Sequence, residues 1–250
     1  MRQRISVISS YRGNLKIVHN LCHNLGNPEG SRKMCYIFTA RKTQYVIVTD
    51  KQMEILAGCF LGDGYIEKRG SIQIEQSKAQ REYFDWKFEQ LKSLVSVQPR
   101  EIKRVRQSGL ITFSNRFVLR QFFRPLRMLL YPDGYKSVSS DLLNLVTPLS
   151  LAVWYMDDGC KNGNSQLVLC TDNLNDDSIS KLQNYLEAKW NISTRIKMKR
   201  EVNKSYKRLT IGSSSLVRFT DLIRPHIIPS MQYKISDPVT THSIKRRNRF

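Results

Sequence analysis

Negative charge is what this chain has least of. Its 250 residues carry 41 Lys and Arg against 21 Asp and Glu, a formal net charge of +20 at pH 7. Such a surplus repels itself in water unless a polyanion or a charged surface compensates it, so nucleic acid is the first partner to consider. Long apolar runs are lacking too. No uninterrupted stretch approaches the ~20 residues that span a bilayer, and the basic residues are spread along the chain, which sets a membrane aside. Paired cysteines are also missing: Cys22, Cys35, Cys59, Cys160 and Cys170 are odd in number and contain no Cys-x-x-Cys spacing. That pattern argues for reduced thiols in an intracellular compartment. His19, Cys22, His23 and Cys35 fit no familiar zinc spacing.

Acids are scarcest between Met1 and Lys42, where Glu29 is the sole carboxylate among eight Lys and Arg. The composition is compatible with an organelle-targeting segment. The plainer reading, which we prefer, is a basic N-terminal extension over residues 1–48 that touches phosphate or is poorly ordered. The tail at 241–250, with Lys245, Arg246, Arg247 and Arg249, grips phosphate or is disordered. Between these ends the chain is long enough to bury one large core or two small ones without disulfides.

What is there is a repeat. Leu56-Ala57-Gly58-Cys59-Phe60-Leu61-Gly62-Asp63-Gly64 and Leu151-Ala152-Val153-Trp154-Tyr155-Met156-Asp157-Asp158-Gly159 are both apolar runs closing on Asp-Gly, and the aspartates lie 95 positions apart. Arg124-Pro125 and Arg224-Pro225 follow, then Tyr135-Lys136 and Tyr233-Lys234, whose lysines are 98 apart. Landmarks recurring in one order at a near-constant offset predict two copies of one unit related by a pseudo-twofold axis, 49–140 and 141–240. Thr49 to Gln52 reads as a capping box, and Thr147-Pro148 as an N-cap followed by proline at the first helical position. Both apolar runs therefore start as helices, and being apolar around most of their circumference they should be buried, each against the other. Strands with a basic, polar exposed face follow each, and further helices around 83–94 and 178–190 cover the other side of each sheet.

A carboxylate at a helix C-terminus is disfavoured by the helix dipole by ~0.3–1 kcal/mol, yet both copies place one there. Taken singly, each Asp-Gly merely ends a helix in a turn. Taken as a pair on two packed helices, Asp63 and Asp158 meet at one end of the seam as an acidic cluster in a basic protein. Hard oxygen donors under such repulsion favour magnesium. A metal beneath a basic sheet is what phosphodiester hydrolysis needs.

Both runs resemble the motif that names the LAGLIDADG homing endonucleases, and their duplication resembles the monomeric, two-motif branch encoded within group I introns. The resemblance covers Thr49 to Asp237. It implies an α+β fold of two pseudo-twofold-related αββαββα units with a saddle of antiparallel β-sheets. It also implies a magnesium-dependent enzyme that makes a staggered double-strand break in a long DNA site, with two or three divalent ions shared between two active sites. The family's metal-binding acid falls on Asp63 and Asp158, with Gly62 and Asp157 as neighbouring candidates; the extra acid Asp157 has no counterpart in the first copy. Its basic active-site residue falls on Lys136 and Lys234, which would stabilise charge or orient water. Val153 and Trp154 depart from the small residues common in that motif, which implies an asymmetric helix seam. An organelle, mitochondrion or chloroplast, is the expected compartment.

A two-stranded ribbon fits the DNA major groove, where polar side chains read base edges and basic ones neutralise phosphates. Candidates are Arg69, Ser71, Gln73, Glu75, Arg104, Arg106, Arg195, Lys197, Lys199 and Arg208. Because the copies have diverged, the preferred double-stranded site should be asymmetric. The competing reading keeps the fold and changes the role to that of a maturase, which binds group I intron RNA. A purely structural nucleic-acid binder would explain the charge but not the paired Asp-Gly helix ends.

Overall fold

The chain begins with strands where the composition predicts a basic arm. In the computed structural model, which describes residues 6–10, 15–19, 34–41 and 44–235 apart from 107, 164, 202 and 203, four antiparallel strands run in sequence order. They are β1 (Ser6–Ser10), β2 (Leu15–His19), β3 (Met34–Arg41) and β4 (Gln44–Thr49). Tyr36 pairs with Val48 and Phe38 with Val46, and all four side chains are buried. Phe38 meets Phe123 at 5.0 Å between ring centroids, so this sheet is packed on the body of the protein. The period-two pattern Tyr36-x-Phe38 and Val46-x-Val48 was a legible strand signal that the basic composition obscured. The tail at 241–250 and the side chains of His19, Cys22, His23 and Cys35 lie outside the described residues.

Thr49 ends β4 and caps the first apolar helix, α1 (Asp50–Leu61): its hydroxyl accepts from Gln52 N, and Gln52 Oε1 accepts from Thr49 N. The first unit continues through β5 (Tyr65–Ile66), β6 (Ile72–Ser77), α2 (Arg81–Leu91), β7 (Val95–Val105), β8 (Ile111–Leu119) and α3 (Arg124–Leu130). After a short α4 (Ser140–Asn144), the second apolar helix, α5 (Pro148–Asp158), opens with the same capping box, built from Thr147 and Ser150. Then come β9 (Gly159–Lys161), β10 (Leu167–Leu169), α6 (Asp176–Trp190), β11 (Thr194–Glu201), β12 (Lys204–Ile211) and α7 (Ser213–Ile223). Each half is thus an αββαββα unit. The sheets have one topology, β5-β6-β8-β7 in the first half and β9-β10-β12-β11 in the second. Among the described residues, no helix is long and apolar enough to cross a membrane.

The halves meet along α1 and α5, whose residues 55–61 and 149–156 are buried. A Cβ on Gly58 would lie 2.6 Å from the Cβ of Val153 and 2.5 Å from the carbonyl oxygen of Ser150. Val153 is the residue 95 positions after Gly58, so quasi-equivalent residues touch each other, as they must beside a twofold axis. The seam is asymmetric because glycine on one side makes room for valine on the other. Outward from this core, α2 buries Tyr83, Phe84, Lys87 and Leu91, and α6 buries Ile179, Leu182 and Leu186. The β7–β8 and β11–β12 hairpins project beyond their neighbours, with Lys103 opposite Phe113 and Lys197 opposite Arg208.

Candidate active site and nucleic-acid interface

Packing of α1 against α5 brings their C-terminal ends together. Asp63 stands just past the cap residue Gly62 of α1, and Asp158 is the last residue of α5. Both line a cavity of about 90 Å³ shared with Leu61, Gly62, Lys136 and Thr171. Burial, then the facing carboxylates of Asp63 and Asp157, push Asp158 up to about 7. Burial and Asp157 likewise raise Asp63 above the usual carboxylate range.

Two lysines close the ends of the same helices. Lys136 Nζ donates to the Gly62 carbonyl at 2.6 Å. Lys234 Nζ donates to the Met156 carbonyl at 2.5 Å and reaches those of Tyr155 and Asp157 at 3.4 Å each. Each lysine therefore caps the motif helix of its own half and offsets the negative end of its dipole beside the acid. Burial lowers the pKa of both, and the nearby aspartates work against that fall.

The donor set suits a hard divalent cation. Among the described residues no group of three or more His, Cys, Asp or Glu side chains could hold a metal. Magnesium is commonly held by one or two carboxylates while water and substrate phosphates complete its shell, and Asp63 with Asp158 fit that pattern. The two neighbouring candidates fare differently. The Gly62 carbonyl lines the cavity but accepts from Lys136. Asp157 is not among the cavity's lining residues; its side chain is fully buried, and Oδ1 accepts from Lys87 Nζ at 2.5 Å and Gln76 Nε2 at 3.1 Å. Lys87 thus neutralises Asp157 through Oδ1, while the buried Oδ2 makes no hydrogen bond and lies against Gly62. Sequence reasoning missed Lys87 and Gln76. The available signal was a lysine at an apolar position of α2, in a helix with Tyr83, Phe84 and Leu91 on the same buried face.

A model described as the LAGLIDADG DNA endonuclease family matches residues 53–219 of the chain. This chain belongs to that family. A probable intron-encoded endonuclease 1 from Wickerhamomyces canadensis is 30% identical over 211 residues, covering 78% of this chain and 87% of that protein. A protein named RecA from Mycobacterium gastri is 25% identical over 247 residues, or 90% of this chain and 57% of that relative. The chain thus spans about half the length of the first curated relatives it matches. Among solved structures, the homing endonuclease I-WcaI bound to its DNA recognition sequence is similar with a TM-score of 0.68 and 28% identity, over 76% of this chain and 88% of that one.

On this LAGLIDADG scaffold the residues expected to meet DNA divide into three groups. Arg69, Arg104, Arg106, Arg195, Lys197 and Lys199 are exposed, the last five on the projecting hairpins and their turn. Gln73, Glu75 and Arg208 are half-buried and already engaged: Gln73 with Glu67, Glu75 with Arg104, Arg116 and Ser114, and Arg208 with Asp172. The Arg104 bond, then the Ser114 and Arg116 bonds, outweigh partial burial and hold Glu75 down at about 2. Ser71 is a correction. It is only 3% exposed, and the carbonyl of the preceding Gly70 accepts from Phe123 N at 3.0 Å.

Proposed function

We propose that this chain is a monomeric homing endonuclease that makes a staggered double-strand break in a long, asymmetric DNA site by magnesium-dependent phosphodiester hydrolysis. The observation that carries the reading is the pairing of Asp63 and Asp158, one from each motif helix, in a single cavity with Lys136 beside them. Asp158 is raised by burial and by the charge of Asp63, and Asp63 by burial and by the charge of Asp157, an arrangement that a divalent cation relieves. When bound, two or three magnesium ions shared between the sites would activate water, neutralise charge on phosphate and hold the leaving oxygen.

The protein's own contribution is placement. Asp63 and Asp158 present oxygen donors from opposite sides of the seam, so one serves each strand. Lys136 and Lys234, fixed by helix-end carbonyls, bring positive charge to the scissile phosphates. The exposed basic residues of the two hairpins neutralise backbone phosphates and read base edges from the major groove. Divergence between the halves makes an asymmetric site the better fit. The similarity to I-WcaI, a homing endonuclease bound to its DNA recognition sequence, supports the reading. An organellar compartment, mitochondrion or chloroplast, is part of the same proposal.

The test is cleavage of a randomised duplex library by the purified chain, with magnesium or with EDTA, beside Asp63→Asn and Asp158→Asn. The expected result is enrichment of one long asymmetric site, cut with metal by the parent and by neither variant. Tight, salt-sensitive binding to group I intron RNA with no DNA cleaved would overturn it.

A further inference from the structure

Lys87 is a charged residue in an apolar place. It is 1% exposed on α2, and the residue 95 positions later, Leu182 on α6, is equally buried. The same offset relates Gln76 to Thr171 and Gly62 to Asp157. One half therefore contributes Lys87 and Gln76 and the other contributes Asp157, whereas the reciprocal set of Leu182, Thr171 and Gly62 carries no charge. An ion pair out of water is weak evidence for stability, because apolar residues of similar volume commonly replace one at no loss. The reciprocal half of this same molecule does without one.

The position of Asp157 indicates what the pair does. Its Oδ1 is fixed from two directions by Lys87 at 2.5 Å and Gln76 at 3.1 Å. Its side chain abuts Gly62, where an added Cβ would lie 2.7 Å from its own Cβ. The Gly62 carbonyl accepts from Lys136, and the Asp157 carbonyl is within 3.4 Å of Lys234 Nζ. Asp158 is its covalent neighbour. Asp157 thus touches the helix ends that carry both acids and both lysines. Apolar contacts alone allow two helices to slide, whereas directional bonds to a buried charge select one register.

We propose that Lys87, acting through Asp157 and Gln76, is a positioning residue for DNA cleavage: the brace sets the register of α1 against α5 and hence the placement of Asp63 relative to Asp158. The inference rests on the endonuclease reading. It is tested by replacing the brace with an apolar pair of similar volume, Lys87→Met with Asp157→Val, on the DNA site recovered for the parent. Melting temperature, DNA affinity in EDTA and single-turnover cleavage of each labelled strand are measured. Melting and affinity should stay near the parent's while cleavage of at least one strand falls about tenfold or more, since ångström-scale misplacement of reacting groups costs that much. Cleavage of both strands at the parent rate by the folded double variant would overturn the brace and leave the endonuclease reading intact; a parent that cuts no DNA would overturn both. Should the apolar pair fail to fold, Lys87→Arg decides, because it keeps the charge but not the fit. Slower cleavage with unchanged affinity supports the brace, and parental cleavage refutes it.

Discussion

Gly62 and Asp157 hold the same place in two copies of one motif, and in the folded protein they touch. A Cβ on Gly62 would lie 2.7 Å from the Asp157 Cβ and 2.8 Å from its Oδ2. Gly58 and Val153 repeat the relationship one helical turn away. Two small residues at either point would leave a void, and two large ones would force the helices apart. Divergence of the copies is what lets each contact close.

Gly58→Ala is expected to destabilise the protein, because the new Cβ would lie 2.5 Å from the backbone carbonyl of Ser150, which cannot rotate away. Overpacking of this kind costs about 1–3 kcal/mol. Urea unfolding measures it as a lower midpoint at unchanged slope; an unchanged midpoint would mean that the helix seam is looser than these contacts imply.

Removing one partner of the buried pair should be far worse than removing both. Asp157→Ala leaves Lys87 charged and enclosed, and breaking such a pair from one side typically costs about 3–5 kcal/mol. The expected order of stability is parent, then the double apolar variant close by, then Asp157→Ala well below. A single variant as stable as the parent would show that water reaches Lys87.

Stability without metal should fall as pH rises from about 5 to 7. Asp158 has its folded pKa raised to about 7 from an ordinary 3.8, so within that window the folded state keeps a proton that the unfolded chain has lost. Glu75, held at about 2, runs the other way: its contribution is present above its ordinary 4.5 and is lost only on acidification toward 2, outside the window. Asp158→Asn should flatten the melting temperature between pH 5 and 7. Magnesium, which competes with the proton, should raise melting more at pH 7.5 than at pH 5.5. A pH-independent magnesium effect would mean that the cation binds elsewhere.

Exposed hairpin residues should act on affinity through salt. If Arg106 and Lys197 meet phosphate, alanine at either should lower the slope of log affinity against log salt by about 1 while weakening all sequences alike. Loss of discrimination at one base pair with an unchanged slope would assign that residue to base reading.

The duplication, the two capped apolar helices, the acids closing them and the lysines that follow were legible in the chain because each is a local pattern repeated at one offset. Capping boxes at Thr49 and Thr147 and alternating strands need no distant partner to be recognised. Ser71, Asp157 and Lys87 were not legible in this way. Ser71 alternates as an exposed strand residue should, but in the fold it is buried beside Gly70, whose carbonyl accepts from Phe123 N. Asp157 sits next to the cavity-lining Asp158 in sequence, but one residue turns a side chain about 100° around a helix, which carries its carboxylate to Lys87 on α2 of the other half. The sequence by itself determined that two related halves would each offer an acid and a lysine. Only the tertiary structure decided which acid faces the cavity and which is neutralised by a lysine, because that depends on contacts between residues 70 positions apart, beyond the reach of any local pattern.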